Sequence, residues 1–193
     1  MKKNPTVEVI VPAYNEEHNI KEIIDSVLSQ KTNNFTLSKI RVYSDASIDL
    51  TNKIVRSCST KNSCIFLSVN RTRIGKYATI SNAFKESSGE ILVVLDADIG
   101  LVGKQFLEKL VKEITSDPKA VLVSSHQVMI RPTGFVGRII YTNFVLWSYV
   151  RLSFPNFHFP GNFQGGATAY RRSFAKSLKI PSKLSDPHLY IYL

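Results

Sequence analysis

Residues 91–95, Ile-Leu-Val-Val-Leu, form an unbroken apolar run that stops at Asp96-Ala97-Asp98. A run of that length, bounded by polar residues, predicts a strand buried on both faces. Less continuous apolar stretches at residues 7–11, 39–43, 64–69 and 120–125 predict four more strands. Between them the spacing changes from two to three or four. Ile20, Ile23, Ile24, Val27 and Leu28 recur as one face of a helix over residues 17–30, with Glu16 and Glu17 at its start, where negative charge is favoured. Phe106, Leu107, Leu110, Val111 and Ile114 do the same over residues 105–114. Helices are also expected after Asp49 and over residues 77–87, the latter closed by Gly89.

Strands alternating with amphipathic helices at this spacing call for a mostly parallel α/β sheet covered by helices on both faces. Such sheets bind ligands at the carboxyl ends of their strands. Four polar clusters fall there, at residues 12–16, 44–49, 70–76 and 96–98. The alternation stops near residue 126. Residues 130–150 are aromatic and aliphatic with interspersed arginines, residues 152–162 are rich in Pro, Phe and Asn, and Gly165-Gly166-Ala167 reads as small and flexible before Arg171-Arg172.

The chain of 193 residues suits one core, and no repeat or linker marks a domain boundary. Its formal charge of +10 favours an anionic partner. Lys and Arg are scattered, with no basic helix or zinc module, which argues against nucleic acid and for a phosphorylated substrate or an anionic membrane surface. Cys58 and Cys64 read as free thiols of a reducing compartment. No apolar signal core follows the basic start, and no stretch reaches the ~20 apolar residues of a membrane-spanning helix. A cytoplasmic protein, at most seated on the inner face of a membrane, is expected.

The acids point to a hard cation. Asp98, furthest past its strand, is the better metal ligand, and Asp96 can reach a ribose hydroxyl or the metal through water. All-oxygen ligation suits Mg²⁺ or Mn²⁺, with diphosphate oxygens completing the shell. A bare D-x-D is also a common solvated strand end. Asp45 can accept from a base N–H or a sugar hydroxyl, or serve as a turn or cap residue. Asp49, just before a helix, reads first as a cap. Arg71, Arg73 and Lys76 around Gly75 suit a phosphate or a solvated basic loop, without the spacing of a P-loop.

Taken in order, Val9-Ile10-Val11-Pro12-Ala13-Tyr14-Asn15-Glu16-Glu17, Tyr43-Ser44-Asp45-Ala46-Ser47-Ile48-Asp49-Leu50-Thr51, Arg73-Ile74-Gly75-Lys76, Leu95-Asp96-Ala97-Asp98 and Gly165 to Arg172 resemble the successive signatures of family 2 glycosyltransferases with the GT-A fold. The resemblance implies one GT-A (Rossmann-like) domain over residues 1–193, with a nucleotide-sugar part at 1–125 and an aromatic-rich acceptor-side part at 126–193. It implies metal-assisted, inverting transfer from a nucleoside-diphosphate sugar, by default a UDP-sugar. Pro12, Ala13, Tyr14 and Glu16 would line the nucleotide pocket, Asp45 would contact the base, and Asp96 would lie against the ribose. Arg73 and Lys76 would serve the same pocket, Asp98 would hold the cation, and Gly165, Gly166 and Arg171 would lie on the acceptor side. Asp186, in Ser185-Asp186-Pro187-His188-Leu189, stands where the family keeps its catalytic base, with Ser185 in place of the usual first acid.

Residues 135–163 mix Tyr141, Phe144, Trp147 and Tyr149 with Arg138 and Arg151. That mixture suits the headgroup boundary of a membrane and a polyprenyl-phosphate or other lipid acceptor. The same aromatics would equally complete a core or a dimer interface. Oligomeric state is not legible. A noncatalytic nucleotide-sugar or membrane-surface binding protein descended from such an enzyme is the alternative. A sugar nucleotidyltransferase is disfavoured because residues 9–17 lack an early glycine-rich loop.

Overall fold

The computed structural model describes residues 3–126, 128–153 and 166–180. Its elements run β1 (Thr6–Ala13), α1 (Ile20–Leu28), β2 (Thr36–Ser44), α2 (Thr51–Lys61), β3 (Ile65–Val69), α3 (Lys76–Glu86), β4 (Ile91–Leu95), α4 (Phe106–Ser116), β5 (Leu122–Ser124), α5 (Phe135–Ser153), β6 (Ala167–Arg171) and α6 (Arg172–Ser177). The sheet order is β3-β2-β1-β4-β6-β5. The first four strands are parallel, whereas β6 runs antiparallel between β4 and β5.

Both faces of the sheet are covered, as the unbroken apolar runs require. Val7, Val9 and Val11 of β1 and Ile91, Val93 and Leu95 of β4 face α1, α2 and α4, packing with Ile23, Ile24, Val55, Leu107 and Ile114. Ile10, Leu92 and Val94 point the other way, onto Ile80, Ala83 and Phe84 of α3 and Ala175 of α6. Each aliphatic side chain fully buried in this way contributes roughly 1.5–3 kcal/mol. Leu28, expected on the buried face of α1, is partly exposed because the helix ends there, so it lies at the rim.

From β1 the chain moves outward to β2 and β3, then returns across β1 to β4 on its other side. The strand order therefore reverses between β1 and β4, and such a reversal opens a crevice at their carboxyl ends. Ala13, Ser44, Val69 and Leu95 all end there, so the topology brings the four polar clusters together.

Two elements differ from expectation. Residues 165–167 read as a flexible segment, yet Ala167 begins β6, whose small side chains are buried against β4 in the register Leu95 to Ala167 and Ile91 to Arg171. The aromatic stretch that breaks the strand–helix pattern is the helix α5. Glu8 is a further surprise, a carboxylate fully buried in the central strand. It accepts from Ser87 Oγ at 3.1 Å and the Ser88 N–H at 2.9 Å, with Arg41 Nε at 3.7 Å, and so ties the end of α3 to β1. Gly89 makes that approach feasible, since a Cβ there would lie 2.8 Å from the Glu8 nitrogen.

Candidate active site

The loops leaving β1 and β2 are joined by a reciprocal set of side-chain to backbone bonds. The Asn15 N–H donates to Ser47 Oγ at 3.1 Å while Asn15 Oδ1 accepts from the Ile48 N–H at 3.0 Å. The Glu16 N–H donates to Thr51 Oγ1 at 2.8 Å, and the Glu17 N–H to Asp49 Oδ2 at 3.0 Å. Glu17 returns the contact by accepting from the Leu50 N–H at 3.0 Å. Asp49 also accepts from the Thr51 N–H at the start of α2, in keeping with its reading as a cap. Asn15 and Ala46 both take left-handed backbone, φ 56° and 59°, which turns each chain sharply out of its strand.

Asp45 is buried at the end of β2 and holds the loop that follows β3. Its Oδ1 accepts from Asn70 Nδ2 at 2.8 Å and the Ile74 N–H at 2.9 Å, and its Oδ2 from the Gly75 N–H at 2.7 Å. Burial alone would raise its pKa, but these donors, with the Thr79 hydroxyl, outweigh it and hold the carboxyl below its usual value. The carboxylate so places residues 70–75 and also lines the cleft.

The loop so placed presents two cations. The Arg73 guanidinium lies 3.9 Å from the centre of the Tyr14 ring, a cation–π contact joining it to the end of β1. Lys76, the first residue of α3, puts its Nζ 2.7 Å from Asp96 Oδ1 beyond β4. The Asp96 N–H donates to the Gly166 carbonyl at 2.9 Å, which fixes the acid against the start of β6. Asp98 is exposed and, among the described residues, makes no hydrogen bond or ion pair.

Pro12, Ala13, Tyr14, Glu16, Asp45, Arg73, Lys76, Asp96 and Asp98 line one open cleft of about 200 Å³, together with Thr79 and Ala97. All eight residues expected at the nucleotide pocket and the expected metal ligand are thus brought together. Thr79 was not singled out by sequence. Its signal is its place four residues after Gly75, one helical turn into α3 and facing the sheet. Gly166 stands beside Asp96, whereas Gly165 and Asp186 lie outside the described residues.

Arg171, expected on the acceptor side, stands away from the cleft. It pairs with Ile91 at the far end of β4 from the cleft, and its guanidinium is bound by the carbonyls of Ala120 at 2.6 Å, Ile114 at 2.7 Å and Asp117 at 3.0 Å. It satisfies the carboxyl end of α4, where a cation is favoured by the helix dipole.

The donor set fits a hard divalent ion. Among the described residues no three His, Cys, Asp or Glu gather as a metal cluster. Two neighbouring carboxylates facing an open cleft match Mg²⁺ or Mn²⁺, which take one or two protein carboxylates and fill the remaining positions with phosphate oxygens and water.

The sequence profile described as Glycosyl transferase family 2 matches residues 8–178, most of the chain. The chain belongs to this family. Among curated proteins it is 32% identical over 140 residues to glycosyltransferase AglE of Haloferax volcanii, covering 72% of this chain and 45% of that protein. It is 26% identical over 198 residues to the dolichyl-phosphate beta-glucosyltransferase ALG5D of Trichomonas vaginalis, covering 96% and 60%. Among solved structures, the mannosyltransferase PcManGT of Pyrobaculum calidifontis in complex with GDP-Man and Mn²⁺ superimposes with a TM-score of 0.74 at 24% identity, over 97% of this chain and 51% of that one. The M. tuberculosis glucosyl-3-phosphoglycerate synthase bound to Mn²⁺, UDP and phosphoglyceric acid gives 0.60 at 23%, over 88% and 56%. These likenesses establish the GT-A fold. The chain spans about half the length of the relatives it matches.

Proposed function

We propose that this protein transfers a sugar from a nucleoside-diphosphate donor, by default a UDP-sugar, to a hydroxyl or lipid-phosphate acceptor with inversion at the anomeric carbon. The observation that carries this reading is the cleft at the strand-order reversal, where Asp96, Asp98, Arg73 and Lys76 converge beside Tyr14. Two structural neighbours whose descriptions name Mn²⁺ together with GDP-Man or UDP support it.

The residues divide into two tasks. Tyr14 and Glu16 flank the nucleoside, and Asp96 turns toward the ribose. Arg73 and Lys76 supply positive charge for the diphosphate, and Asp98 holds the cation. A divalent ion bound there offsets the negative charge that builds on the departing diphosphate. Asp186 is our candidate for the base that takes the acceptor proton on the opposite face of the sugar, which gives inversion.

The acceptor is argued from α5. This helix carries Arg138 and Arg151, no acidic residue, and exposed Ile139, Ile140, Leu146 and Trp147. Among the described residues no helix is long and apolar enough to cross a membrane. An apolar, cationic helix of this kind suits the interface of an anionic leaflet, where a polyprenyl-phosphate is presented. Curated relatives named for dolichyl phosphate and undecaprenyl phosphate support a lipid-phosphate acceptor.

Calorimetric titration of UDP and GDP, with and without Mn²⁺, tests the donor site. Wild type is expected to bind one nucleotide in a cation-dependent way, and Asp98→Ala to lose that dependence. Absence of any such preference in wild type sinks the site assignment. Transfer from the preferred donor that survives Asp186→Ala unchanged removes Asp186 as the base.

A further inference from the structure

We propose that Lys76 is the resident counter-ion of the carboxylate pair in the cleft, and that it makes cation retention conditional on a diphosphate. The inference deepens the donor-site reading and rests on it. The Lys76 ammonium stands 2.7 Å from Asp96 Oδ1, so it occupies one of the two carboxylates beside which a divalent ion would sit. Asp96 and Asp98 face the same cleft.

The local helix does not account for a lysine here. Lys76 is the first residue of α3, at the positive end of the helix dipole, and no acidic side chain occupies that turn. A cation at this position is disfavoured by the helix itself. Its compensation comes from another element, the end of β4. The approach is also built in. Asp45 holds the N–H groups of Ile74 and Gly75, and Gly75 takes φ 93°, a backbone favoured by glycine, to direct the chain into α3. Residues 70–75 therefore hold Lys76 across from Asp96 before any ligand arrives.

The consequence is a three-way coupling. A divalent ion entering alone at Asp98 meets the Lys76 ammonium on the neighbouring Asp96, and among the described residues no three His, Cys, Asp or Glu gather to outweigh that charge. A diphosphate changes both sides of that competition. It offers Lys76 a new anionic partner and gives the ion phosphate oxygens. By linkage, the ion and the nucleotide each raise the affinity of the other.

Mn²⁺ binding without nucleotide, read from the electron paramagnetic resonance signal of free Mn²⁺, tests this. Lys76→Gln is expected to bind Mn²⁺ about fivefold tighter than wild type, the upper end for one partly exposed ion pair. With saturating UDP or GDP the gain should vanish or reverse, because the diphosphate contact is lost as well. Lys76→Arg should behave as wild type. In an Asp96→Asn background, Lys76→Gln should give no gain, and Lys61→Gln, at the end of α2, reports the effect of removing one positive charge elsewhere. Equal Mn²⁺ affinity in Lys76→Gln and wild type, or an equal gain in Lys61→Gln, overturns the proposal while cation-dependent nucleotide binding by wild type keeps the donor site. Wild type that shows no such dependence removes the donor site, and this inference with it. Thermal midpoints of Lys76→Arg and Asp96→Asn guard against a folding artefact.

Discussion

The strand-end loops and α5 are opposites. In the loops after β1, β2 and β3, one polar side chain after another has a partner on a different loop, as with Asn15 and Ser47, Glu17 and Leu50, or Asp45 and Gly75. On α5 a narrow stripe, Gly137, Tyr141, Phe144 and Ser148, is half-buried, while Val136, Ile139, Ile140, Leu146 and Trp147 are exposed. The first region has the fixed dipoles that a nucleotide diphosphate needs. The second offers area and positive charge without fixed geometry, which is what a fluid surface can accept.

The largest effect is expected where the loops are held most firmly. Asp45→Ala removes the acceptor for Asn70 and for the N–H groups of Ile74 and Gly75 at once. A loss of about 2–3 kcal/mol, together with weaker nucleotide binding, follows from leaving those donors to partial solvation. Urea unfolding and calorimetry check both. A stable variant with intact nucleotide affinity would break the view that Asp45 positions the loop.

The same carboxyl gives a pH dependence whose sign is fixed. Its folded pKa lies below the ordinary value of 3.8, so the stability it contributes is fully present above that pH and drains away as pH falls through the folded value. Asp45→Asn has no such component. The gap between the urea midpoints of wild type and Asp45→Asn should therefore narrow below about pH 4. A gap that stays constant from pH 6 to pH 3 would contradict the clamp.

Gly89→Ala comes next. The added Cβ would meet the Glu8 nitrogen at 2.8 Å and the Glu8 Cβ at 2.9 Å, neither of which is a flexible side-chain end. Separating β1 from the turn before β4 should cost about 1–3 kcal/mol, read as a lowered urea midpoint. Because Glu8 also binds the adjoining Ser87 and Ser88, a neutral result would mean that this turn is looser than the strand-end loops.

What was legible in the sequence follows the same division. Residues 91–95 announce β4 because a strand buried on both faces needs an unbroken apolar run, and the acids begin where it leaves the core. Periodicity likewise reveals α1 and α4, each with one buried face. The strand β6 is hidden, since Ala167-Thr168-Ala169 is small and gains burial only by pairing with β4. Arg171 looks like a site cation because its partners, the carbonyls at the end of α4, lie 51 to 57 residues away in the chain. The bonds joining the β1 and β2 loops are equally long-range, so sequence placed their residues near the cleft without showing that they hold one another. Helix α5 is obscured for another reason: apolar on nearly every side, it lacks the polar face that would display a helical period.

The smallest effect on stability, and the sharpest test of the contrast, belongs to α5. Ile140 and Trp147 are each more than half exposed, so Ile140→Ser with Trp147→Ser removes little buried apolar surface. The unfolding midpoint should move by no more than the equivalent of ~0.5 kcal/mol, as expected of surface positions. Co-sedimentation with vesicles of phosphatidylglycerol and phosphatidylcholine should fall severalfold, because those two side chains are the apolar area that would enter the interface. The pair of readouts separates the two roles that an exposed apolar helix can have. A helix that covers a core loses stability when its large side chains are cut, whatever the lipid. One that meets a membrane loses binding and keeps its fold. A destabilisation above ~1 kcal/mol with vesicle binding unchanged would place α5 with the packed elements and leave the lipid acceptor without its structural support.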